Sequence, residues 1–183
     1  LWIYAALYIC FLAYQSVGFG STFVFAEATG IQNAHIQIED NDVLAGVSMP
    51  EDRADAFGQL SDYVNEQELK GRTSITYWGR PALSFYLEMP PAFNAWPDLA
   101  SYQVAYMKQD LDEVASSIDA NPDDIQNYPV FITTTFMATY DGELANTTEV
   151  AKWLMLQDYL AEYGYEVVFQ NEQFTMYDVV LAQ

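Results

Sequence analysis

The chain has 183 residues, with 26 acidic and six basic side chains, a net charge of −20 and 16% aromatic content. A charge of that sign and size excludes nucleic acid and anionic membrane surfaces as partners, because their approach is repelled at long range. A single cysteine, Cys10, and a single histidine, His35, exclude a disulfide framework, a histidine-based metal centre and a serine–histidine triad within these residues.

Residues 1–26 carry no charged side chain, and every acidic and basic residue lies beyond Ala26. Residues 1–14 read LWIYAALYICFLAY. A helix through all 26 would run roughly 39 Å, enough for a hydrocarbon core of ~30 Å. The run is therefore expected to be the C-terminal part of a transmembrane helix and its exit, with Gln15, Gly18 and Gly20 loosening its end. A buried core helix is the alternative. No basic region precedes the run, as a signal peptide requires. The first basic residue after it is Arg53, and this lack of Lys and Arg beside the span places the following residues on the extracytoplasmic side of the cell membrane. The expected division is thus 1–26, membrane helix and exit, and 27–183, one extracytoplasmic α/β domain, with the N-terminal transmembrane region of the same protein lying upstream.

Further along, residues 43–47 (VLAGV) predict a short buried strand. Ser48, Met49, Pro50 and Glu51 have the form of a capping box with proline in the first turn, opening a helix on which Phe57, Leu60 and Val64 repeat at three- and four-residue spacing. Gly71 ends it. Residues 73–78 (TSITYW) predict a strand, and Gly79, Arg80 and Pro81 turn the chain into a short helix over 82–89, closed by Pro90 and Pro91. Trp96, Pro97 and Asp98 predict the start of a longer helix reaching about Ser117. Residues 130–135 (VFITTT) predict the clearest strand, and Asn146, Thr147, Thr148 and Glu149 cap a helix carrying Val150, Trp153, Leu154 and Leu160. Residues 166–170 and 173–181 form a terminal hairpin about Asn171 and Glu172. Strands alternating with helices predict an α/β fold: a mainly parallel sheet with helices on both faces, a C-terminal antiparallel hairpin, and 73–78 and 130–135 as central parallel strands, all preceded by the transmembrane helix.

Most candidate motifs carry no chemistry. Gly18, Phe19 and Gly20 begin a dinucleotide fingerprint whose third glycine is replaced by Phe23. The acidic stretches 39–42 and 119–124 lack the alternation of a calcium loop and read as solvated loops. No catalytic residue, metal or cofactor is assigned. Residues 76–102 differ, since Tyr77, Trp78, Arg80, Tyr86, Phe93, Trp96, Asp98 and Tyr102 gather at the ends of expected strands and helix starts, where ligands bind in α/β sheets. Aromatic faces beside an arginine and an aspartate suit sugar or phosphosugar contact, because rings stack while polar groups fix orientation. The competing reading puts these rings in the core.

At these residues the chain resembles the C-terminal extracytoplasmic domain of bacterial polytopic membrane glycosyltransferases of type C. The matching stretches, in order, are the apolar helix, VLAGVSMPEDRADAFGQLSDYV, TYWGRPALSFYLEMPPAFNAWPDLASY, PVFITTT and EVVFQNEQFTMYDVV. The resemblance implies transfer of a sugar from a polyprenyl-phosphate carrier, with the catalytic carboxylate upstream of Leu1, so that this domain is an accessory one. It implies the membrane, the membrane-embedded part of the same protein and a glycan or lipid-linked sugar as partners, and it marks Tyr77, Arg80, Trp96 and Asp98 as binding or interface positions. The alternative is a non-catalytic binding or scaffold domain of another membrane-anchored cell-envelope protein.

Overall fold

The computed structural model describes residues 2–14, 36–37, 41–44, 48–78, 82–140 and 148–180. The chain divides into two compact units, Leu1–Gly58 and Gln59–Gln183.

In the first unit, helix α1 spans Trp2–Tyr14, and its side chains from Trp2 to Ala13 are exposed. Thirteen residues rise about 20 Å, short of the ~30 Å of a hydrocarbon core. Among the described residues no helix is long and apolar enough to cross a membrane, which corrects the expected transmembrane helix. The expectation placed the end of the helix near Gln15, as observed, and took the absence of charge over 1–26 as the mark of a membrane span. Strand β1, Ile36–Gln37, pairs antiparallel with β2, Ser48–Met49. Residues Asp42–Leu44 form one 3₁₀ turn, because the Asn41 side-chain oxygen accepts from the backbone N–H groups of Val43 and Leu44, both at 3.0 Å. That turn stands at the start of the strand expected at 43–47, whose last three residues lie outside the described ones. Helix α2, Glu51–Glu66, opens on the Pro50 carbonyl, which accepts from Arg53 and Ala54.

The second unit holds a four-stranded sheet made of β3 (Ser74–Tyr77), β4 (Val130–Thr134), β5 (Tyr165–Gln170) and β6 (Phe174–Val179), in the order β3-β4-β6-β5. Its helices are α3 (Leu83–Tyr86), α4 (Val104–Ala120), α5 (Thr135–Ala138) and α6 (Thr148–Glu162). The α/β class and the terminal hairpin agree with expectation. The mainly parallel sheet does not: β3 and β4 are parallel, while β4 with β6 and β6 with β5 are antiparallel. Burial explains the difference. All but Tyr177 of β6 is buried, whereas Glu166, Val167 and Gln170 of β5 are exposed. The arms are equally apolar, but β6 carries Asp178, the partner of buried Arg72, and it takes the inner position beside β4 while β5 becomes the edge.

β3 is the other edge, not a central strand, yet all four of its residues are buried. The segment after α3 covers it: Ser74 N–H donates to the Pro90 carbonyl and Ala92 N–H to the Ser74 carbonyl, both at 2.8 Å. By register Ile75, Phe131 and Tyr177 share one face, and Ile75 and Phe131 enter a core with Met107 and Leu111 of α4 and Trp153, Leu156 and Leu160 of α6. On the opposite face Tyr63 of α2 meets the Phe169 ring at 5.2 Å.

A buried ion pair crosses the sheet. Arg72 Nη1 and Nη2 donate to Asp178 Oδ2 and Oδ1 at 2.6 and 2.8 Å, and Nη2 also donates to the Tyr128 carbonyl at 2.9 Å. Removing either partner strands a charge in the interior. Asp178→Ala should therefore lower the unfolding free energy by about 3–5 kcal/mol in urea titrations. Breaking the exposed Lys70–Glu88 pair with Lys70→Ala should cost about 1 kcal/mol or less.

Candidate functional site

The carboxyl end of the parallel pair is where the sequence places its candidate residues. β3 ends at Tyr77, whose buried hydroxyl donates to the Glu149 backbone carbonyl at 2.5 Å and whose ring stacks on Trp153 at 5.8 Å. The next residue, Trp78, leaves the sheet with φ of 53°, in the left-handed region. That conformation costs a non-glycine residue roughly 1–2 kcal/mol. Its indole remains 40% exposed.

The facing turn is built around a lysine. Lys152 of α6 has no exposed surface, and its Nζ donates to the Pro97 and Leu99 carbonyls at 2.8 and 2.7 Å. It also lies 5.6 Å from the centre of the Tyr102 ring, whose hydroxyl donates to the Asp110 carboxylate. A helix beginning at Asp98 would need those same two carbonyls for its own first turns. The carbonyls can be shared, since each can accept twice and that of Leu99 also accepts from Tyr102 N–H. The segment is nonetheless a turn, and α4 starts at Val104, later than the sequence predicts. Trp96 is fixed at the head of the turn: its N–H donates to the Asn94 side chain at 2.8 Å, and its carbonyl accepts from Leu99 N–H. Its indole is 43% exposed.

Asp98, two residues beyond Trp96, is half-buried. Burial pushes its carboxyl above the usual range, against the pull of its own N–H, the Lys152 charge, the Trp96 side chain and the Trp78 backbone N–H. Burial likewise lowers the Lys152 ammonium, against the opposing charges of Glu149 and Asp98. Tyr77 is raised by burial and then by Asp98 and Glu149, and Tyr102 by burial and its bond to Asp110.

Of the four predicted positions, Trp96 is exposed and Asp98 half-buried in one turn, Tyr77 is a core residue, and Arg80 lies outside the described residues. Trp78 and Tyr102 belong to the same aromatic gathering, and their place in the site follows from Asp98 and Lys152. Lys152 itself was missed. Its signal was available: it shares a helix face with Leu156 and Tyr159, both buried, so a cation stood on an apolar stripe.

Among the described residues no group of His, Cys, Asp and Glu is placed to hold a metal ion, and Cys10 is an exposed free thiol. Compared with known proteins, the chain matches no family model, no curated protein and no solved structure. No glycosyltransferase signature is found, and the transferase and transmembrane expectations that accompanied the resemblance are set aside together.

The two shifted groups have opposite effects on stability. Asp98 binds its proton more tightly folded than unfolded, so its contribution to stability grows as pH falls through its folded pKa towards 3.8. Lys152 binds its proton less tightly folded, so its contribution grows as pH rises through its folded pKa towards 10.5. Asp98→Ala should therefore cost more stability near pH 4 than at pH 7, and Lys152→Ala more near pH 10 than at pH 7. Urea titrations of each variant against the parent at both pH values check this.

Proposed function

We propose that the unit Gln59–Gln183 is a non-catalytic binding domain whose contact surface is the Trp78–Trp96 pair. The observation that carries this is the way two half-exposed indoles are held: one on a strained left-handed backbone, the other on a turn pinned by a buried ammonium. Rigid presentation removes the ordering penalty of binding, and tryptophan is the residue most enriched among those that dominate contact energies.

The polar groups support binding over bond-making. Lys152 is engaged by two carbonyls, Tyr77 by the Glu149 carbonyl and Tyr102 by Asp110, so each stabilises the surface from beneath. The site also lies at the carboxyl ends of β3 and β4, the position at which α/β sheets receive ligands.

Fluorine NMR of the 5-fluorotryptophan-labelled chain tests the reading, since its four tryptophans stand at positions 2, 78, 96 and 153. Hits from a chemically diverse fragment library should shift the Trp78 and Trp96 signals and leave buried Trp153 unmoved. Fragments that act on exposed Trp2 as readily as on Trp78 and Trp96 would remove the proposal. Trp96→Ala should abolish those responses while costing about 1 kcal/mol of stability.

A further inference from the structure

We infer that one water molecule is bound inside the second unit, accepting from the indole N–H of Trp153 and donating to the hydroxyl of Thr133. The inference is independent of the Trp78–Trp96 surface. Thr133 of β4 has no exposed surface and Trp153 of α6 is 1% exposed, yet neither Thr133 Oγ1 nor Trp153 Nε1 has a hydrogen-bond partner. A bare donor or acceptor in such a place gives up its solvation without return. The large majority of buried polar side-chain atoms are for that reason partnered, by protein or by ordered water.

The sheet brings the two groups to one place. Thr133 pairs with Tyr77 across the β3–β4 ladder and lies two residues beyond Phe131 on the same face. The Trp153 indole stacks on both of those rings, with centres 5.8 Å from Tyr77 and 6.1 Å from Phe131, so it roofs the corner of the sheet that Thr133 occupies. The neighbouring hydroxyls are engaged elsewhere. Tyr77 donates to the Glu149 carbonyl at 2.5 Å, and Thr135 donates to the Asn171 carbonyl at 2.8 Å. Thr175, opposite Thr133 on β6, is bonded to Thr135 and accepts from Gln170 Nε2, both at 3.2 Å. Tyr77 and Phe131 are themselves fully buried, and a charged occupant among such rings would be left without solvation. What fits is small and uncharged, an acceptor towards the indole and a donor towards the hydroxyl, which is the chemistry of water.

The test uses the full 183-residue chain and replaces Thr133 with valine, which keeps the outline of the side chain and removes its hydroxyl, or with serine, which keeps the hydroxyl. Oxygen-17 magnetic relaxation dispersion counts long-lived internal waters. Thr133→Val should lower that count by one relative to the parent, and Thr133→Ser should retain it. Thr133→Val should also raise the unfolding equilibrium constant in urea titrations by about tenfold. A hydroxyl that is simply bare gives the opposite sign: Thr133→Val is then as stable as the parent or more so, with the water count unchanged, and the inference is overturned. Lost stability with an unchanged water count overturns it as well, since the hydroxyl then acts without a water. Should Thr133→Val fail to fold, the parent decides. Its Trp153 indole proton should show a cross-peak to a long-lived water in a rotating-frame Overhauser spectrum, and absence of that peak removes the proposed site.

Discussion

A buried guanidinium decides how the strands of the second unit are ordered. Arg72 precedes β3, the Tyr128 carbonyl precedes β4, and Asp178 lies near the end of β6, so three strands meet at one cation. The attraction within such a pair is largely offset by the cost of drying both ions. Its effect is on alternatives. Sliding β6 by one residue would turn Asp178 to the other face of the sheet and leave Arg72 unpaired in the interior. The antiparallel placement of β6 against β4, and with it the displacement of β5 to the edge, is thus fixed by an interaction whose main penalty falls on wrong registers.

The same economy operates at the candidate site. Two of only six basic residues, Arg72 and Lys152, are buried in a chain that carries 26 carboxylates. Arg72 organises the amino-terminal end of the parallel pair and Lys152 the region beyond its carboxyl end. Lys152 holds in place a turn whose sequence reads as a helix start, by donating to the Pro97 and Leu99 carbonyls. The turn that carries Trp96 and Asp98 is held by a lysine more than 50 residues away, and Trp78 leaves the β region at the end of β3.

This separation in sequence explains what was legible and what was not. The strands over Ser74–Tyr77 and Val130–Thr134, the helix Thr148–Glu162 and the closing hairpin were readable from local chemistry: β-branched runs, apolar spacing and the turn residue Asn171. Trp96 and Asp98 were readable as candidates from their aromatic and acidic company. The sheet order was not, because alternation of strands and helices says which elements exist but not which arm of a hairpin goes inside. Nor was the turn at Asp98, because the lysine that holds it is remote. The uncharged stretch 1–26 was read as a membrane span from its lack of charge, whereas its described helix, Trp2–Tyr14, is too short for one. Tyr77 shows a fourth kind of limit, since a tyrosine at a strand end reads the same whether its hydroxyl meets solvent or, as here, the Glu149 carbonyl.

The covered edge of β3 has a further consequence. With Pro90 and Ala92 already bonded to Ser74, the start of β3 is closed to an added strand, and β5 is the longer open edge of the sheet. There the ladder shifts register between Val167 and Phe169, and Glu166 lies exposed on the strand. An incoming strand would meet a broken row of donors and acceptors, and a second copy would bring another 20 negative charges to the encounter. Lateral polymerisation along β5 is therefore opposed both by backbone geometry at close range and by charge at a distance.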